Sequence, residues 1–191
     1  MRMESARKLF TTDDVLKMAE AGLFGPEERI ELIDGEIIEM TPVGDRHIMC
    51  VNRATAFFSE AFGRTAIVSI QNALRLNIHN MPQPDVVVFK PRADFYASGA
   101  PTPADVLFLV EVSDSTIRRD RSIKLPRFAT YGIPEVWIED LNHDLILVYR
   151  DPEENQYRTQ FTVRHGDSIS PLAFPNTTFL VDDLIGQEPS H

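Results

Sequence analysis

Two acidic residues stand where a folded chain seldom tolerates charge. Asp85 opens the run Asp85-Val86-Val87-Val88-Phe89, directly after Pro82-Gln83-Pro84, and Glu111 sits inside Val106-Leu107-Phe108-Leu109-Val110-Glu111-Val112. Both runs are continuously apolar and rich in β-branched residues, the pattern of strands buried on both faces of a sheet. A buried charge is tolerated when it is paired or holds a metal. Two carboxylates brought together at the end of a sheet repel each other unless a divalent cation or a raised pKa relieves them. Oxygen donors of this kind suit Mg2+ or Mn2+, and a cation so held lowers the pKa of its water and acts as a Lewis acid. Acidic residues at strand ends also cap loops or pair with arginine, and these two residues alone leave that choice open.

The elements that must position them can be read from punctuation and periodicity. Thr11-Thr12-Asp13-Asp14 ahead of Val15, Leu16, Met18 and Ala19, with Gly22 behind, predicts a short capped helix with a glycine stop. Asp34-Gly35 between Ile30–Ile33 and Glu36–Met40 predicts a hairpin. From about Arg46, the apolar residues Val51, Ala54, Phe58 and Phe62 recur at helical spacing up to Gly63. Strand-like runs follow at Ala66–Ile70 and Ala73–Ile78, and a crossover helix is expected near Ile123–Tyr131, stopped by Gly132. Glu135–Glu139 reads as a strand around Trp137, and Leu145–Tyr149 and Tyr157–Val163 alternate as antiparallel strands. The order predicts an α/β (mixed α+β) fold, a central mixed β-sheet flanked by helices, in one domain over residues 1–191.

Composition narrows the setting. A single cysteine, Cys50, leaves no internal disulfide and no multi-cysteine zinc site, and its apolar neighbours suggest a buried small hydrophobe. No apolar run approaches the ~20 residues of a membrane span. Met1 to Phe10 shows no apolar signal-peptide core, so the cytoplasm is the expected location. The net charge of −10 argues against a protein that coats nucleic acid indiscriminately. Yet Arg118, Arg119, Arg121, Lys124 and Arg127 are opposed locally only by Asp120. That run is either a solvated helix start or a phosphate-contacting rim, and its closeness in sequence to Glu111 favours the rim.

Pro84-Asp85 followed by Glu111-Val112-Ser113 resembles the PD-(D/E)XK nuclease signature. With Ile30-Glu31-Leu32-Ile33-Asp34-Gly35-Glu36 and the string from Arg119 through Lys124 and Gly132 to Trp137, the chain resembles the Uma-two family of restriction endonucleases from about Thr11 to Leu184. The resemblance implies a restriction-endonuclease-like fold and a Mg2+ or Mn2+ ion held by Asp85, Glu111 and the backbone carbonyl of Val112. It adds Glu31 and Lys124 to the catalytic set, and implies DNA phosphodiester hydrolysis by a metal-activated water in a homodimer. One position departs from the signature: Ser113 stands where the lysine is expected, and Lys124 is the residue able to bring an ammonium to the same place. The alternative reading is a nuclease-fold protein with an altered site that binds nucleic acid or a protein partner without cutting, for which Ser113 and the acidic net charge speak. His47 resembles a family position, although a lone histidine more often caps or packs. Gln71 reads more readily as a surface strand residue than as one pointing at the site. His79, His143, His165 and His191 receive no role, and Tyr131 and Trp137 are expected in the core.

Overall fold

The computed structural model describes residues 7–25, 28–114 and 116–186. They fall into two compact units, one formed by Met1–Pro42 with Ala73–Gln83, the other by Val43–Asn72 with Pro84–His191.

In the first unit Thr11 is the residue that caps helix α1 (Thr12–Glu20). Its hydroxyl accepts from the Asp14 amide at 3.1 Å while the Asp14 carboxylate accepts from the Thr11 amide at 2.9 Å, a reciprocal box that satisfies two otherwise orphaned donors. Strands β1 (Ile30–Ile33) and β2 (Glu36–Glu39) pair antiparallel around Asp34-Gly35. Both turn residues take positive φ, as a two-residue hairpin turn demands. A Cβ on Gly35 would stand 2.6 Å from that of Leu9, so no other residue fits. The strand expected at Ala73–Ile78 does not form. Among the described residues that segment makes a single isolated bridge, Asn77 with Asn80. The Asn77 side chain instead accepts from the His79 amide at 2.8 Å, a local bond that competes with a ladder.

The second unit carries helix α2 (Asp45–Phe62) and strands β3 (Ile67–Ile70), β4 (Val86–Phe89) and β5 (Val106–Ser113). A continuous helical run follows: α3 (Ile117–Arg119), a π-helical turn (Asp120–Lys124) and α4 (Leu125–Thr130). Then come β6 (Glu135–Asp140), β7 (Leu145–Glu153), β8 (Gln156–Arg164), the short pair β9 (Ser168–Ile169) and β10 (Phe179–Leu180), and α5 (Val181–Ile185). Six strands form one sheet in the order β3-β4-β5-β6-β7-β8. Only β5 and β6 are parallel, and the helical run is their crossover. The mixed sheet with flanking helices is therefore the architecture the sequence implied.

The helical run begins at Ile117 rather than near Ile123, which moves Lys124 from the start of the helix to its middle. The π turn has an identifiable cause. Pro126 has no amide hydrogen and its ring would meet the carbonyl of Ser122, so the run widens just before it, and the Leu125 amide reaches back to the Asp120 carbonyl.

On one face of the sheet Cys50, Val51, Ala54, Phe58 and Phe62 of α2 pack with Val86, Val88, Phe108, Val110 and Trp137, joined by Leu184 and Ile185 of α5. Phe58 lies at the centre, its ring 5.3 Å from Phe108, 5.9 Å from Trp137 and 5.0 Å from Phe179, each at a steep edge-on angle. Such pairs add to area burial. Phe58→Ala should cost about 3–5 kcal/mol of stability, measured by urea unfolding followed through Trp137 fluorescence. A loss under about 1 kcal/mol would mean that this cluster is not the centre of the core.

Candidate active site

Register decides which residues meet. Val88, Val87 and Val86 of β4 lie opposite Phe108, Leu109 and Val110 of β5. One step further along this antiparallel pair sets Asp85 across from Glu111, whose side chain leaves the sheet on the opposite face from Val110 and Val112. On the other side Ile70 lies opposite Val86, and the Gln71 amide donates to the Asp85 carbonyl at 3.0 Å, so the next residue of that ladder is Gln71.

Asp85 stands just past the end of its strand and is 5% exposed. Its Oδ2 accepts from the Val112 amide at 2.9 Å and bonds His47 Nε2 at 3.1 Å; its Oδ1 accepts from the Gln71 amide nitrogen at 3.2 Å. Burial alone pushes this carboxyl's pKa up. The His47 hydrogen bond and charge, the Val112 amide and the Lys124 charge overrule it, and the net shift is downward, so Asp85 is an anion. His47 belongs to the first turn of α2, and because a carboxylate only accepts, its Nε2 carries the hydrogen.

Glu111 and Lys124 form a buried ion pair, with Nζ donating to Oε1 at 3.1 Å. Lys124 Nζ also lies 3.5 Å from Asp120 Oδ1, one helical turn earlier. Asp120 Oδ2 in turn accepts from Ser113 Oγ at 2.6 Å and Thr116 Oγ1 at 2.8 Å. The residue at the signature's lysine position thus anchors the carboxylate beside which Lys124 sits. All three charged side chains are buried, where charge-assisted bonds are strong and lost partners costly.

Glu139 escaped the sequence reading. It lies on β6 opposite Val112, is fully buried, and neither carboxyl oxygen has a hydrogen-bond partner among the described residues. Its strand-mate Glu135 shows the contrast. That carboxylate is equally buried but accepts from Trp137 Nε1, Arg150 Nε and the Leu172 amide. Burial foremost, and then the charge of Asp85, push Glu139 up to about 8. His47 Nδ1 is likewise buried with no hydrogen-bond partner among the described residues.

The other expected residues are placed as follows. Glu31 belongs to the first unit, where its buried Oε1 accepts from the Gln83 amide at 2.9 Å. Gln71, read as a surface residue, instead touches Asp85. Arg118 and Arg121 are exposed, and Arg119 is half-buried. Cys50 is buried, its thiol on the Ile185 carbonyl and its pKa pushed by burial to about 12, which leaves it inert. Trp137 is fully buried, while Tyr131 is half-exposed. His79 binds the Phe10 carbonyl, and His143 and His165 bind Asp140 and Asp182. His191 and residues 1–6 lie outside the described residues.

The donor chemistry at Asp85 and Glu111 fits a hard divalent cation. Both are carboxylates, and in an extended strand a residue's N–H and C=O face the same neighbour, so the Val112 carbonyl faces the side on which its amide meets Asp85. Mg2+ is usually held by one or two carboxylates and keeps several waters. Among the described residues no group of three or more His, Cys, Asp and Glu side chains is placed to hold a metal. An ion here would therefore draw on backbone and water as well as the two carboxylates.

The sequence matches the model of the Uma2 family, described as "Putative restriction endonuclease", over residues 12–182. The chain belongs to the Uma2 family. Its fold is similar to that of "a putative nuclease belonging to DUF820" from Anabaena variabilis ATCC 29413, whose crystal structure it matches with a TM-score of 0.70 at 19% identity, over 92% of this chain and 97% of that one. No curated protein matches the sequence. Among the described residues of this Uma2 member, no helix is long and apolar enough to cross a membrane.

Glu139 gives a pH signature. An acid whose folded pKa lies above its unfolded value of 4.5 binds more protons when folded. Its contribution to stability is thus complete below the unfolded pKa and declines as pH rises toward about 8. The decline should be on the order of 3–5 kcal/mol. Thermal melts from pH 5 to 9 should show wild type losing stability over this range relative to Glu139→Gln. Parallel curves for the two proteins would show that Glu139 is not a buried neutral acid.

Proposed function

We propose that this Uma2 chain is a divalent-metal-dependent endonuclease that hydrolyses DNA phosphodiester bonds. The observation that carries the reading is the buried cluster in which Asp85, just past the end of β4, accepts from the Val112 amide of β5 beside Glu111, while Lys124 bonds Glu111 at 3.1 Å. A nuclease of this kind needs anionic oxygen donors at one point and a fixed positive charge beside them, and Asp85, Glu111 and Lys124 supply both.

The division of labour follows from the contacts. Asp85 and Glu111, with the Val112 carbonyl, would hold Mg2+ or Mn2+, which supplies a water of lowered pKa and a Lewis acid for the phosphoryl oxygens. Asp85 is kept anionic and oriented by the Val112 amide, His47 and Gln71. Lys124 orients the attacking water or helps to deprotonate it, and its ammonium offsets charge developing on the phosphorane oxygens in a site that excludes bulk water. Asp120, anchored by Ser113 and Thr116, fixes where that ammonium stands. The exposed Arg118 and Arg121, with Arg119, meet the flanking phosphates. Two copies in a homodimer would bring one site to each strand of a duplex.

Purified protein should nick or linearise plasmid DNA in Mg2+ or Mn2+, and Asp85→Ala and Glu111→Ala should abolish both the cutting and the Mn2+ binding seen by calorimetry. Lys124→Ala should retain metal binding and lose about 100- to 1,000-fold in turnover. Metal titration of the Asp85→Ala protein indistinguishable from wild type overturns the metal assignment. Intact DNA under every metal condition, with binding retained, would favour a nuclease-fold protein that binds without cutting.

Ser113 provides a separate check. Residues 111 and 113 of β5 face the same way, so a lysine introduced at position 113 would approach the space that Lys124 now fills. The double variant Ser113→Lys, Lys124→Ala should therefore recover at least about tenfold of the activity lost by Lys124→Ala alone. No recovery would mean that the two positions do not serve one ammonium site.

A further inference from the structure

The exposed end of the sheet beyond the helical crossover carries a polar strip that the catalytic cluster does not use. Cross-strand register runs from Glu111 to Ile138, from Ile138 to Leu147 and from Leu147 to Thr162. Glu111 and Thr162 therefore share one face of the sheet, three strand steps apart, or about 14 Å. Gln160 and Arg164 alternate with Thr162 on the same strand and occupy the same face. Asp140 lies opposite Leu145 and Leu145 opposite Arg164, which puts Arg164 at the end of the sheet where Glu111 also stands.

Arg121 reaches this strip from the π turn, three residues before Lys124 on the same helical run. With Leu147, Tyr149, Gln160, Phe161 and Thr162 it lines a groove of about 170 Å3. Among the described residues, no acidic side chain lines that groove. Arg121 and Arg164 are exposed, and neither side chain makes a hydrogen bond or ion pair among the described residues. Elsewhere arginines are matched: Arg46 with Asp144, Arg92 with Asp94, Arg150 with Glu135 and Arg158 with Glu153. In a chain of net charge −10, these two guanidiniums flank an amide and a hydroxyl, and the Asp167 carboxylate is held on the Arg164 backbone amide at 2.9 Å.

We infer that Arg121, Gln160, Thr162 and Arg164 bind the phosphodiester backbone of the nucleic acid a few nucleotides from the bond cut at Glu111. A guanidinium forks onto two phosphate oxygens, and neutral amide and hydroxyl donors fill the remaining acceptors. The apolar floor of Leu147 and Tyr149 suits the sugar edge between phosphates. The inference rests on the nuclease reading but concerns only how the substrate is held.

Binding of a fluorescent DNA duplex, followed by anisotropy in EDTA so that nothing is cut, tests it across a range of salt. The variant Arg121→Ala, Arg164→Ala should bind at least about tenfold more weakly and flatten the log–log salt slope by about 2, near one unit per lost phosphate contact. Arg64→Ala removes the same kind of charge from an exposed, unpaired position just after α2, at the opposite end of the sheet, and should leave the slope unchanged. If wild type binds but the double variant keeps its slope, or if Arg64→Ala flattens the slope equally, the strip is not the contact. If wild type neither binds nor cuts DNA, it is the nuclease reading that fails, and the strip with it.

Discussion

The pairing of Lys124 with Glu111 is the interaction on which the rest of the site depends. A carboxylate taken out of water costs several kcal/mol unless matched. This small region holds Asp85, Glu111 and Asp120, all buried. Each charge is met differently. Asp85 is met by an amide, an imidazole and a glutamine, Glu111 by the ammonium, and Asp120 by two hydroxyls on one oxygen and the same ammonium beside the other. Lys124 is thus shared between two anions. Neither β5 nor the helical run holds its charge without the other.

The crossover geometry follows from this constraint. β5 and β6 are parallel, so the chain must return along the whole sheet between them, and the returning helix necessarily passes the end of β5 where Glu111 lies. Pro126 widens the run into a π turn at the point where Asp120 and Lys124 face the strand. π turns of this kind are frequent at functional sites because they re-aim side chains within a helix. Here the widened turn carries Lys124 to Glu111 and leaves Arg121 exposed beside the β7–β8 groove.

Asp85 and Glu111 were legible from one sequence because charge inside an apolar strand is conspicuous, and the fold class followed from the order of strands and helices. Lys124 was legible only through the family string, since nothing local distinguishes it from its basic neighbours. Asp120, Gln71, His47 and Glu139 earn their places through contacts between elements far apart in the chain. Gln71 looked like a surface residue because strand alternation says nothing about where a ladder ends, and it is the next step of the β3–β4 ladder that sets it on Asp85. The expected strand at Ala73–Ile78 failed for the opposite reason. Its apolar alternation was real, but Asn77 and Asn80 turn the chain back on itself, and Leu74 and Leu76 bond the Pro82 and Asn80 carbonyls of the returning chain instead of a sheet strand.

Ser113 shows how a signature can change without emptying the site. Beside Glu111 one buried ammonium fills the space bounded by Glu111 and Asp120, and a second would set like charge against it there. A lysine on the strand and a lysine on the helix are therefore alternatives. When the helix supplies it, the strand position is left to anchor the helix, and a short hydroxyl is the side chain suited to do so: Ser113 Oγ closes on Asp120 at 2.6 Å, a span that a longer or apolar residue would block. Ser113 on the strand and Lys124 on the helix are thus two halves of one packing solution, linked through Asp120.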